Sequence, residues 1–131
     1  MNAKAVKAIQ DIVAAKNALI ICILVEDAIP EKTLLKLIKA IMGIDLTWEE
    51  LLITGERIFN LKRMFDVRCG ISKKDDVLPK RIAKEALPDG GAAGKLPDVE
   101  NMLPTYYKLR GWSAEGIPTD ETLKKLDLIV D

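Results

Sequence analysis

The chain has 131 residues, 49% hydrophobic and 31% charged, with 20 Lys and Arg balancing 20 Asp and Glu, two Cys and no His. That length supports one domain, residues 1–131, with its own core, and the balanced charge lacks the basic excess of a nucleic-acid or membrane-surface binder. The absence of His removes the commonest general base near neutral pH and the commonest metal-binding imidazole.

The N-terminus, MNAKAVKAIQDIV, interleaves Lys and Asp with apolar residues and offers no signal-peptide core. With two cysteines too few for a disulfide framework, the chain reads as cytoplasmic. The longest apolar run, from Ala18 to Val25, is far shorter than the roughly 20 residues that cross a bilayer.

Residues 2–25 predict a first helix, with Val6, Ile9, Val13, Leu19 and Cys22 at roughly helical spacing and its second half buried. Pro30 closes it and opens a second helix over 31–42, whose stripe is Leu34, Leu35, Leu37, Ile38 and Ile41 and whose stop is Gly43. Thr47 and Glu50 have capping-box spacing for a third helix to about residue 66, carrying Leu51, Leu52, Ile58, Phe59, Leu61 and Phe65. Gly55 inside that helix costs roughly 1 kcal/mol against Ala, which predicts close approach of another helix.

After Gly70 the texture becomes an irregular arm punctuated by Pro79, Pro88, Pro97 and three glycines, with a short helix at 79–86. Asp98 then caps a helix through Arg110 that ends at Gly111, and Thr119 starts a last short helix with Leu123, Leu126 and Leu128. No stretch alternates with period two for long enough to be a strand, so the fold class is all-α and multihelical.

The residues that carry chemistry are few. Cys22 in an apolar helix reads first as a small buried hydrophobe, and no Cys-x-x-Cys spacing occurs. Cys69, beside Arg68 and Lys73, is a loop cysteine whose positive surroundings would favour a thiolate; that leaves a thiol redox sensor open. The mixed charges of KKDDVLPKR read as solvated surface, and Asp75-Asp76 falls short of a divalent-ion loop. Tyr106, Tyr107 and Trp112 form a packing cluster that anchors the C-terminal segment.

Three ordered stretches go further: LTWEELLITGERIFNLKRMFDVRCGISKKDDVLPKR at 46–81, ALPDGGAAGKL at 86–96, and MLPTYYKLRGWSAEGIPTDETLKKLDL at 102–128. In this order they resemble the C-terminal end of the tungsten-containing aldehyde ferredoxin oxidoreductases. The resemblance implies a role for Asn17-Ala18-Leu19-Ile20-Ile21-Cys22, which falls on the family's Asp-x-x-Gly-Leu-Cys motif. There the Asp lies at the pterin and the Cys is the last ligand of a four-iron (4Fe-4S) cluster. By that alignment Cys22 corresponds to the cluster ligand and Asn17 to the pterin contact, Ile20 replaces the glycine, and Cys69 stands where the family usually has Glu.

The family's tungstopterin cradle (a molybdopterin carrying tungsten), its other three cluster cysteines and its active-site histidine all lie upstream of this region. The resemblance therefore implies no catalytic residue here and no cofactor bound by the isolated chain. It implies the last third of an enzyme, expressed alone, encoded as a subunit beside a companion chain, or left by a gene truncation; in the full enzyme this part would help enclose pterin and cluster while aldehyde is oxidised to carboxylic acid and electrons pass to ferredoxin. The alternative is a helical interaction module without redox function, whose face for the upstream domains would be an exposed apolar patch or be covered by self-association. Under either reading Cys22 is expected to be buried or at an apolar mouth.

Overall fold

A computed structural model describes residues 2–26 and 28–129, without the side chains of Ile23 and Glu26. Its elements run α1 (Ala3–Ala18), α2 (Ile23–Glu26), α3 (Glu31–Met42), α4 (Trp48–Arg68), a 3-10 turn (Lys73–Asp75), α5 (Lys80–Lys84), α6 (Val99–Arg110) and α7 (Asp120–Lys125). Among the described residues there is no strand, as the sequence predicts; Trp112 and Pro118 form an isolated bridge.

α4 is the longest helix, and α1 lies antiparallel along it. Ala15 packs with Leu51 at one end of the pair, and Val6 joins Phe59 in the cluster at the other. Between them Gly55 lets the backbones touch, because a Cβ built there would fall 1.9 Å from the Asp11 carbonyl oxygen. The close approach expected at Gly55 is therefore made by α1. The capping box at the start of α4 also forms: the Thr47 N–H donates to Glu50 Oε2 at 2.7 Å and the Glu50 N–H to Thr47 Oγ1 at 3.2 Å.

α3 closes one end of the pair, burying Leu34 and Ile38 against Ala15 and Leu51. Only part of its expected stripe is covered, since Leu37 and Ile41 stay exposed. α6 closes the other end through Tyr106 and Tyr107, which join Ala3 and Trp112 in the second cluster. The aromatic cluster thus has the packing role expected of it. Pro104, inside α6, is exposed and supplies no N–H to the helix ladder.

The first helix is shorter than its apolar pattern predicts. It ends at Ala18, where the Ile20 N–H donates to the Asn17 carbonyl at 3.0 Å and the Ile21 N–H to the Lys16 carbonyl at 3.4 Å. These are the paired bonds of a Schellman ending, and they hold Ile20 in the left-handed region at φ 58°. The stop was invisible to residue type because a β-branched residue sits where glycine usually does. Leu19 and Ile21 turn back onto the α3 cluster, but Ile20, Leu24 and Val25 do not reach the core: Ile20 is 92% and Leu24 88% exposed. The predicted burial of this segment is thus overturned, since the chain has left the α1–α4 contact before it begins.

Candidate functional site

Asn17 sits exposed in the last turn of α1, and Cys22 follows in the non-helical link to α2. Both face solvent, so Cys22 is not the buried hydrophobe that its apolar run predicts. The reason is the Schellman turn, which carries Cys22 off the helix axis before it can pack on α4. Cys69 is exposed too, at the C-cap of α4. Because α1 and α4 are antiparallel, the two thiols lie at opposite ends of the pair. The 21 residues of α4 alone span about 30 Å, so the thiols cannot share a site.

A four-iron cluster takes four thiolates. Among the described residues, no three His, Cys, Asp or Glu side chains stand close enough to hold a metal ion. The donor set of this chain therefore does not fit such a cluster by itself; at most it offers one thiolate at the α1 end.

Two buried arginines organise the opposite half of the molecule. Arg110, fully buried on α6, donates to Asp11 Oδ1, to Gln10 Oε1 at 2.8 Å and to Tyr106 Oη at 3.1 Å, while its guanidinium lies 4.0 Å from the Phe59 ring centroid. Lys7 bridges Asp11 at 2.8 Å and Glu56 at 2.9 Å. This network ties α1, α4 and α6 together where apolar packing alone is thin.

Arg63 on α4 makes the second set. Its Nη1 and Nη2 donate to both oxygens of Asp76 at 2.8 and 2.6 Å, and its Nε donates to the Gly116 carbonyl at 2.8 Å. The guanidinium is 4.9 Å from the Trp112 ring, whose Nε1 donates to Asn60 Oδ1 at 2.7 Å. Tyr107 Oη donates to Asp76 Oδ2 at 2.5 Å. Burial is the first cause that pushes the Tyr107 phenol above its ordinary value, and the Asp76 carboxylate adds to it. Burial opposes the Arg63 cation, but the Asp76 contact outweighs it and the pKa is raised.

Asp76 is therefore a structural acceptor and not the solvated acid its charged neighbours predict. Asp11, Gln10, Asn60, Arg63 and Arg110 also went unremarked in the sequence. Their partners lie on other elements, so spacing carries no signal of them.

Beside this network opens a cleft of about 490 Å³. Its lining is mixed, apolar Val6, Phe59, Val77, Leu78, Met102 and Leu103 standing beside the charged Lys62, Asp66 and Asp75 and the Arg63–Asp76 pair. The total accessible surface is 9478 Å², more than a third above the about 6,900 Å² expected of a folded monomer of 14.5 kDa. No described helix is long and apolar enough to cross a membrane.

Comparison with known proteins gives the source of the pattern. A family model described as aldehyde ferredoxin oxidoreductase, domains 2 and 3, matches residues 1–128. The tungsten-containing aldehyde ferredoxin oxidoreductases of Pyrococcus abyssi and Pyrococcus horikoshii are each 37% identical over 120 residues, which is 91% of this chain and 20% of theirs. An aliphatic sulfonate oxidoreductase, WOR-like subunit, of Pyrococcus furiosus is 34% identical over 98 residues, covering 68% of this chain and 16% of its own. Among solved structures, the active-site complex BamBC of benzoyl coenzyme A reductase, with 1,5-dienoyl-CoA, superposes with a TM-score of 0.56 at 34% identity, over 72% of this chain and 13% of that one. The chain thus spans about a fifth of the length of the aldehyde oxidoreductases it matches. On the match to residues 1–128 and on these identities, the chain belongs to the aldehyde ferredoxin oxidoreductase family and corresponds to part of its domains 2 and 3.

Proposed function

We propose that this chain works as the C-terminal unit, a single helical domain, of a tungsten aldehyde oxidoreductase whose upstream domains reside on a companion chain. The assembled enzyme would oxidise aldehyde to carboxylic acid and pass the electrons to ferredoxin. In it Cys22 supplies one thiolate of a 4Fe-4S cluster otherwise ligated by the companion, and Asn17 meets the pterin.

The observation that carries this reading is the exposure of Cys22 within an apolar segment that a monomer has no reason to leave bare. An acceptor oxygen and two N–H donors on the Asn17 side chain suit it to hydrogen-bond a pterin ring, without the charge that an Asp would bring. Since this chain holds one such thiolate, it is inactive alone.

The test is an anaerobic affinity purification from the native source with this chain as bait, followed by mass spectrometry and by iron and tungsten analysis. Co-purification of a larger chain bearing a Cys-x-x-Cys-x-x-x-Cys run, with both metals, is expected, and Cys22→Ser should lower the iron content. Bait recovered alone and metal-free sinks the proposal.

A further inference from the structure

The cleft beside Arg63 is followed in the chain by an exposed arm. Asp75 to Leu78 line one side of the cleft mouth and Val99 lines another, so the intervening residues 79–98 leave the body and return to it at the same place. No residue of that arm is buried. It nevertheless has a shape of its own: α5 forms one stretch, and the Gly94 N–H closes its tip on the Leu87 carbonyl at 3.0 Å. Along it Ile82, Leu87 and Leu96 are exposed, and Val77 at its root is 71% exposed.

A loop of this length, hydrogen-bonded within itself and carrying its apolar side chains into solvent, does not stabilise the isolated fold. The cleft it frames is equally unsuited to a small polar ligand. Such sites depend on a few convergent polar groups left free for the ligand. Here Arg63, Asp76 and Tyr107 spend their donors and acceptors on one another, and among the described residues no buried side-chain polar atom lacks a partner. What the surface offers is apolar area beside the charged Lys62 and Asp66, the anatomy of a protein–protein contact.

We infer that the cleft and the 79–98 arm form one docking surface that clasps the polypeptide carrying the remaining four-fifths of the family fold. The inference rests on the companion-chain reading above. One observation favours that occupant over a second copy of this chain. That observation is coverage: the chain spans only 20% of the length of its relatives, so a second copy would supply the same fifth again and none of the remainder.

The test uses the Pyrococcus abyssi enzyme truncated ahead of its matching 120 residues, checked for folding by circular dichroism, and titrated with this chain by calorimetry. Val77→Asp, Ile82→Asp and Leu87→Asp are each expected to weaken binding at least tenfold while leaving the free chain's circular dichroism and Tm unchanged. Equal binding by all three variants overturns the docking surface but leaves the functional reading standing. No binding by the unsubstituted chain overturns both. Concentration-dependent dimerisation that the same substitutions abolish assigns the surface to a second copy and overturns the occupant.

If the truncated relative does not fold, a chimera in which this chain replaces the matching 120 residues serves instead. Amides of residues 80–96 are expected to exchange at least tenfold more slowly in the chimera than in the free chain, and unchanged exchange overturns the inference.

Discussion

Gly55 of α4 faces the carbonyl of Asp11 so closely that a Cβ would stand 1.9 Å from its oxygen and 2.7 Å from its carbon. Both neighbours are backbone, so no side-chain rotation relieves the clash. Gly55→Ala should therefore cost about 3 kcal/mol, the upper end of overpacking, although Ala is the better helix former. Urea denaturation of the two proteins measures the difference; a stability equal to or above the parent's would mean α1 can shift outward freely.

Ile20 presents the opposite case. It is held at φ 58° by the Schellman bonds and buries almost nothing, so its side chain contributes strain without packing. A left-handed backbone costs a non-glycine residue roughly 1–2 kcal/mol, and glycine gives back part of that through chain entropy. Ile20→Gly is expected to raise the denaturation midpoint, by about 0.5–1 kcal/mol in stability, whereas Ile20→Ala should leave it nearly unchanged.

The Arg63–Asp76–Tyr107 contact predicts both a mutational and a pH effect. Asp76→Ala leaves a buried guanidinium unpaired and should cost about 3–4 kcal/mol. Tyr106 and Tyr107 are both raised from the ordinary value of 10.0, burial being the first cause in each. Their neutral forms thus favour the folded state, a contribution complete below pH 10 and lost as the pH climbs from there toward the raised folded values. Phenolate absorbance should lag behind that of the unfolded chain on alkaline titration. In Asp76→Asn the Tyr107 transition should move down in pH, because the carboxylate that opposes its ionisation is gone.

Both thiols should react rapidly with a bulky aromatic disulfide reagent in the native state, at rates close to those of the denatured chain, since both are exposed. They should not form an intramolecular disulfide, because they occupy opposite ends of a helix about 30 Å long. Protection of Cys22 upon assembly, with Cys69 still reactive, is the expected outcome in the complex and can be followed by mass spectrometry.

Much of the helical framework was legible in residue types alone. Thr47 with Glu50, Asp98, Thr119, Gly43 and Gly111 act within one turn of their own helix ends, so local chemistry suffices to reveal them. Gly55 announced a close approach but not its partner. The exposure of Asn17 and Cys22 was not legible, because an apolar run looks the same in sequence whether it packs or stays bare.

By itself, then, the sequence determined an all-α class, most helix starts and stops, and membership of a family through ordered motifs. Tertiary structure decided where α1 ends, which charged residues are buried, and which apolar residues are left without cover. The physical reason is range: caps and helical periodicity are settled within a few residues. The pairing of Arg110 with Asp11 or of Tyr107 with Asp76 joins positions 99 and 31 residues apart, and only the packing of one helix on another brings them within reach.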